Sequence, residues 1–274
     1  MFFIFLTLVK INSMKKIILF LFLSISIFSC KKNETSKVSS EKNETINSDT
    51  VTTNNVEISP ISHATAVISY ENEIIYIDPT GGAEAFDDFE TPTYVLITDI
   101  HGDHMNLKTL NALELSKTII IAPKAVADKL SSIKSKEIII INNGEEKTFN
   151  DFKVEAIPMY NLREEALKFH SKGRGNGYVL SFNDERIYFS GDTEDIPEMR
   201  KLKNIDKAFI CMNLPYTMTV EKAADAVLAF KPKKVYPYHY RGTNGLSDVE
   251  EFKKIVSDNK EIEVIQWNWY PKKK

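Results

Sequence analysis

From Val56 onward the chain alternates short apolar runs with short polar breaks. "VISY" and "IIYIDP" flank the polar "ENE" and predict a β-hairpin within residues 56–80. "TYVLIT" (93–98), "TIIIAP" (118–123) and "EIIIIN" (137–142) are β-branched runs of strand length. Between them, "NLKTLNALEL" (106–115) and "KAVADKLSS" (124–132) have helical spacing. A stretch without helices follows, with "EKTFNDFKVEAIPMY", "GYVLSF" and "RIYFSGD" all predicted as strands. "DIPEMRKLK" predicts a helical turn or two, "KAFICMN" a strand, and "TVEKAADAVLAF" a helix with an apolar stripe. "KVYPYHY" is a strand. "SDVEEFKKIVSDN" is a helix whose Ser247 and Glu250 have capping-box spacing, and "IEVIQWNW" closes the chain as a strand. Strand–helix units in both halves predict an α/β (α+β) domain of two packed sheets with helices outside, over residues 56–274.

The N-terminal segment follows other rules. "MKKIILFLFLSISIFSC" (Met14–Cys30) has a basic start, an apolar run shorter than the ~20 residues a membrane span needs, and an ending like a bacterial lipobox. It predicts a signal segment over residues 1–30, with the true start at Met14 and lipidation at Cys30. Residues 31–55 are Lys, Asn, Glu, Ser and Thr with almost no large apolar side chain, as in a disordered tether. These features predict a chain in the bacterial cell envelope, lipid-anchored to a membrane and facing the periplasm or the surface. A transmembrane anchor using the first 13 residues, or a cytoplasmic enzyme with a misassigned start, are the competing expectations. The net charge of −3, with no basic block beyond the C-terminal "PKKK", gives no indication of a nucleic-acid partner. Cys211, in "KAFICMNL", is expected to pack as a small buried hydrophobe.

The acids and histidines are unevenly placed. Asp99, His101, Asp103 and His104 follow one predicted strand directly; His170 precedes another; Asp192 and His239 end two more. Four of the five histidines thus lie at strand–loop boundaries, where a rigid scaffold can present a site. Imidazole and carboxylate are ligands for zinc, manganese or iron. Four such residues within six positions cannot all reach one ion from a regular strand or helix. A tight loop, with Gly102 free to take an unusual φ, can turn them toward two ions.

"DIHGDH", then His170, "GDT" and "YHY", resembles the metallo-β-lactamase superfamily, whose pattern is His-x-His-x-Asp-His, a His, a bridging Asp and a final His. "ISHATAVISYENEIIYIDP" and "GNGYVLSFNDERIYFSGDTEDIPEM" are similar to segments of its L-ascorbate-6-phosphate lactonase-like and N-acylphosphatidylethanolamine phospholipase D-like branch. The resemblance implies a four-layer αββα sandwich with two divalent metal ions at one edge, zinc first, manganese or iron as alternatives. Carried over by position, His101 and His170 hold the first ion, Asp103, His104 and His239 the second, and Asp192 bridges. Asp103 and His239 are the residues to which catalysis is also assigned. Asp99 stands where the pattern has its first His. As a ligand it makes three carboxylates and one hydroxide balance two divalent ions, favouring harder metals; facing away, it leaves one metal well bound.

The implied activity is that of a metal-dependent hydrolase, with a metal-bound hydroxide attacking an ester, phosphodiester, lactone or amide of a small-molecule or lipid-like substrate. Tyr238, Tyr240 and Arg241 flank His239 and suggest an aromatic wall and a cation for substrate, against plain packing. His63 and Asp78 are expected behind the ligands, His63 as support or as an ordinary buried histidine, Asp78 as a turn former. The alternative function is a non-catalytic metal- or ligand-binding lipoprotein on the same fold. The retention of six of seven ligand positions weighs against it.

Overall fold

A computed structural model describes residues 55–271. The signal segment, Cys30, the tether up to residue 54 and the last three lysines lie outside the described residues. The first sheet holds β1 (Glu57–Ser62), β2 (Thr65–Tyr70), β3 (Glu73–Ile77), β4 (Tyr94–Leu96), β5 (Ile119–Ala122) and β6 (Glu137–Ile140), in that order. The second comprises β7 (Glu146–Thr148), β8 (Lys153–Met159), β9 (Gly175–Phe182), β10 (Glu185–Phe189), β11 (Lys207–Ile210) and β12 (Lys234–Pro237). Beyond a two-stranded ribbon, β13 (Arg241–Gly242) with β14 (Gly245–Leu246), β15 (Glu263–Val264) pairs with β12 and completes that sheet. The helices are α1 (Leu107–Ala112), α2 (Lys124–Ala127), α3 (Pro197–Arg200), α4 (Val220–Phe230) and α5 (Val249–Val256).

Strand alternation builds the layers. Ile68, Ile75, Ile77 and Leu96 join a core with Val154, Leu180, Phe189 and Phe209 of the other sheet. Their neighbours Val67, Tyr76, Val95 and Ile97 fall in a separate cluster with Leu110 of α1 and Val126 of α2. Side chains that alternate across a strand thus serve two interfaces, so strands buried on both faces are apolar almost throughout. On the far side of the second sheet, α4 packs Ala223, Ala224, Val227 and Phe230, and α5 packs Phe252 and Val256. The result is the expected αββα sandwich.

Several boundaries differ from expectation. The first hairpin is a three-stranded meander, because "EISPIS" pairs antiparallel with β2 despite its polar content. The helices α1 and α2 are six and four residues, shorter than their periodicity suggests. α1 gives way at Leu113, whose backbone is extended. Asp248, not Ser247, caps α5, its side chain accepting from Glu251 N; the Ser247 hydroxyl instead donates to Met212 O. Only Glu263–Val264 of "IEVIQWNW" pairs as strand, and Trp269 beyond it is fully buried. Cys211 is buried as expected, and burial pushes its thiol up to about 12. No helix among the described residues is long and apolar enough to cross a membrane.

The topology also decides where a site can form. β3 and β4 run parallel, as do β10, β11 and β12, so in each sheet the carboxyl ends of these strands fall at one edge. Chain leaving a parallel strand there is free of ladder hydrogen bonds and available for binding. The sheets are tied at this edge: Asn176 N donates to Thr98 O, and the Tyr178 hydroxyl to Ile97 O, 3.0 Å away. Gly177 sits at the tie, where a Cβ would lie 2.7 Å from Ser190 O and 2.9 Å from Phe189 O. Gly177→Ala must push β10 away from β9, and is expected to cost about 1–3 kcal/mol. A fall in the urea-unfolding midpoint of metal-free protein checks this; an unchanged midpoint contradicts it.

Candidate metal centre

The chain leaving β4 does not stay extended. His104 N and Met105 N both donate to His101 O, closing one helical turn that sets His101 and His104 at different points of the edge. The expectation for Gly102 fails here, since Gly102 is absent from the residues at positive φ. The strain lies elsewhere. His63 (φ 55), Asp78 (φ 44) and His239 (φ 46) all occupy the left-handed region, and all three flank the same cluster. Non-glycine residues there cost of order 1–3 kcal/mol and persist where the surroundings over-determine them. For His239 the restraint is visible: its N–H donates to His63 O, and His63 N–H to Trp269 O.

Three sets of side chains each bring their ligand atoms within 4.8 Å of one another: Asp99, His101 and His170; His104, Asp192 and His239; and His63, Asp103 and His239. Asp192 lies between the first two sets, with Oδ2 3.2 Å from His170 Nε2 and 3.4 Å from His104 Nε2, and Oδ1 3.3 Å from His239 Nε2. Asp99 is fully buried and turned inward, its Oδ2 2.6 Å from His101 Nδ1. Asp103 is half-exposed, with Oδ2 3.3 Å from His63 Nε2 and 3.4 Å from His239 Nε2. All seven residues of the sequence pattern therefore meet at one edge.

The surroundings orient these groups. Asp78 accepts from Thr98 N, from the Thr98 hydroxyl and, at 2.8 Å, from His104 Nδ1. That bond leaves His104 Nε2 for the cluster, as a carboxylate behind a ligating histidine does. Asp78 is thus more than the turn former the sequence suggested. His170 Nδ1 faces Tyr216 O at 3.1 Å, which turns its Nε2 inward. The His63 ring lies 3.7 Å from that of His239, and its Nδ1 pairs with the Tyr270 hydroxyl. His63 therefore braces Asp103 and His239 directly.

Charge dominates this edge. Burial pushes the Asp192 carboxyl up, but His239 and His104 outweigh it and hold it well below the carboxylate range. Burial acts against a charged His104, yet Asp192 and Asp78 raise it well above the usual imidazole range. For Asp99, burial is outweighed by the His101 hydrogen bond and by the charges of His104 and Arg174, which bring it to about 2.

A cation fits this arrangement. His104 Nε2 and His239 Nε2 face each other at 3.1 Å, and two neutral imidazoles cannot aim lone pairs together without a proton or cation between. The buried Asp192 Oδ1 also lacks a hydrogen-bond partner. Orphaned acceptors in a nitrogen-and-carboxylate set suit zinc, manganese or iron.

The expected substrate wall is not where the sequence placed it. Tyr238 is fully buried, its hydroxyl accepting from Gly191 N next to Asp192. Tyr240 is buried as well, because β12 ends at Pro237 and the chain turns inward. Arg241 stacks over the Tyr270 ring at 4.1 Å and does not line the cleft. The aromatic residues beside the cluster are Phe169 and Tyr216, packed edge to face with centroids 5.1 Å apart. Nothing in their spacing marked them, since they come from loops that meet only in the fold. Arg174, which pairs with Asp99, was missed too; its signal was its place in the glycine-rich loop four residues after His170.

Comparison with known proteins identifies the family. The model of the beta-lactamase superfamily domain matches residues 76–240. A UPF0173 metal-dependent hydrolase from Pyrococcus horikoshii is 31% identical over 222 residues, covering 77% of this chain and 96% of that protein. A relative of the same description from Natranaerobius thermophilus is 30% identical, over 70% of this chain and 86% of its own. The crystal structure of a Parabacteroides distasonis protein assigned as a metal-dependent hydrolase superposes with a TM-score of 0.69 at 39% identity, covering 77% of this chain and 92% of that one. A metallo hydrolase from Ignicoccus hospitalis shares the fold at 20% identity, with a TM-score of 0.65 and coverage of 77% and 94%. By the family model and by relatives matched over most of their length, the chain belongs to the beta-lactamase superfamily and is a metal-dependent hydrolase.

Proposed function

We propose that this hydrolase cleaves acyl compounds (esters, lactones or amides) bearing an apolar group, using two divalent ions held at the sheet edge. The observation that carries the reading is the cleft over the cluster. It has a volume of about 390 Å³ and is lined by His101, Gly102, Asp103, His170 and Asp192 on one side and Phe169, Asn213 and Tyr216 on the other. No lysine or arginine is among those residues, and two of the eight are aromatic. Leu167 and Leu214 are exposed, within two residues of Phe169 and Tyr216 in the chain, and an apolar group of the substrate would meet the two rings.

Asp99, His101 and His170 would hold one ion, His104 and His239 the other, with Asp192 between them and Asp103 at the second. Bound there, such ions would supply Lewis acidity for an acyl oxygen and lower the pKa of water to about 7. Asp103 has one oxygen engaged by His63, and its Oδ1 is left to orient the attacking water and take its proton. The same carboxyl then returns the proton to the leaving oxygen or nitrogen. Asn213 accepts from the Thr217 hydroxyl through Oδ1, which leaves its amide N–H groups to position the substrate carbonyl. Phe169 and Tyr216 screen the carbonyl from solvent.

We also infer that Cys30 anchors the enzyme to a bacterial membrane, which would present the cleft to lipid-like substrates. The support is the basic-apolar-small pattern of Met14–Cys30. Mass spectrometry of the mature protein is expected to find a diacylated or triacylated Cys30 at the N-terminus; an unmodified Met in the soluble fraction contradicts it.

Reconstitution tests the reaction. Chelator-treated protein should lose hydrolysis of acyl esters, lactones and amides, and regain it with zinc or manganese. Phosphodiester cleavage outpacing every acyl substrate would favour the phosphodiesterase reading. Asp103→Asn should lower kcat on the best substrate on the order of 10²–10⁴-fold without unfolding, and undiminished turnover contradicts the proton-transfer role. Asp78→Asn is expected to weaken one ion by about 10–100-fold through His104. Competition with a chromophoric chelator measures that loss, and two undiminished affinities contradict it.

A further inference from the structure

Asp99 is the one ligand position at which this chain departs from the His-x-His-x-Asp-His pattern, and charge counting on the sequence leaves it as an added anion. The fold supplies a cation for it. Arg174 Nε lies 3.1 Å from Asp99 Oδ1 and Nη2 lies 3.0 Å from Oδ2, a two-pronged pair from 75 residues away. The carboxylate is fully buried and the guanidinium side chain is 18% exposed. Arg174 Nη2 also donates to Phe169 O, the carbonyl immediately before His170. One guanidinium therefore ties the chain leaving β4 to the loop that carries the other ligand of the same set. Asp99 Oδ2 still faces His101 Nδ1 at 2.6 Å and His170 Nε2 at 4.0 Å.

We propose that Arg174 is a positioning residue that makes an aspartate usable at position 99: it cancels the charge of the carboxylate and fixes its distance from His170, so that Asp99 serves the first ion with the charge balance of a histidine. This rests on the reading of the cluster as a metal centre.

The pair acts as a unit for electrostatic reasons. A buried carboxylate without a partner is costly, and the planar fork of arginine matches two carboxylate oxygens as lysine cannot. Conversely, a buried guanidinium beside a dication is repelled unless an anion stands between them. Neither residue can change alone without leaving the other's charge uncompensated. The added-anion count from the sequence is thus offset, and with it the reason to expect a preference for harder metals at this position.

A double-mutant cycle tests the proposal on metal affinity and on the stability of metal-free protein, independently of turnover. Zinc affinities come from chelator competition, stoichiometry from elemental analysis, and melting temperatures from chelator-treated samples. Arg174→Met and Asp99→His should each weaken one of the two ions by about 10–100-fold. The double variant should recover most of that loss, and its metal-free melting temperature should exceed that of Arg174→Met. Arg174→Lys keeps a charge without the fork; it should weaken the same ion, and it serves where Arg174→Met does not fold. Wild-type affinities in Arg174→Lys, or losses in the double variant equal to the sum of the single ones, overturn the proposal while leaving the two-ion reading intact. A wild-type chain that takes up no metal overturns both.

Discussion

Buried carboxylates repel one another and resist leaving water, so they are stable only where positive charge accompanies them. Asp78, Asp99 and Asp192 are all buried at one edge of this molecule, with Asp103 half-exposed beside them. Much of the local structure answers that constraint. His104 stands between Asp78 and Asp192, Arg174 closes on Asp99, and His63 closes on Asp103. His104 Nε2 and His239 Nε2 face each other and Asp192 Oδ1 lacks a hydrogen-bond partner, an arrangement that a bound metal cation fits.

The sandwich makes such a cluster affordable. Strands apolar on both faces anchor the two sheets, and their parallel carboxyl ends release the chain at a common edge. Bonds between the sheets at Thr98–Asn176 and Ile97–Tyr178 keep that edge from opening. The left-handed backbones of His63, Asp78 and His239 then spend part of the stability of the core on aiming side chains inward.

How much of this could be seen in the chain itself depended on range. The seven residues of the metal pattern were visible because they fall in loops beside predicted strands and because their order resembles the pattern of the metallo-β-lactamase superfamily. The two-sheet architecture followed from the apolar runs. Contacts between distant loops were not visible. Arg174 meets Asp99 only because β9 starts beside Thr98, and Phe169 meets Tyr216 only because the loop ahead of β9 folds onto the loop after β11. Tyr238 and Tyr240 carried a misleading signal: flanking a ligand in sequence, they point into the core once the chain turns at His239. Ser247 misled as a cap because its hydroxyl is claimed by Met212 O. Gly102 misled because a helical turn, open to any residue, does the work assigned to a special glycine.

We propose that the sheet edge holds two cations in separate, defined places. Anomalous diffraction from crystals soaked in zinc or manganese tests it most directly. Two peaks are expected, one among Asp99, His101 and His170 and one among His104, Asp192 and His239. A single peak, or none with the side chains unchanged, would contradict it.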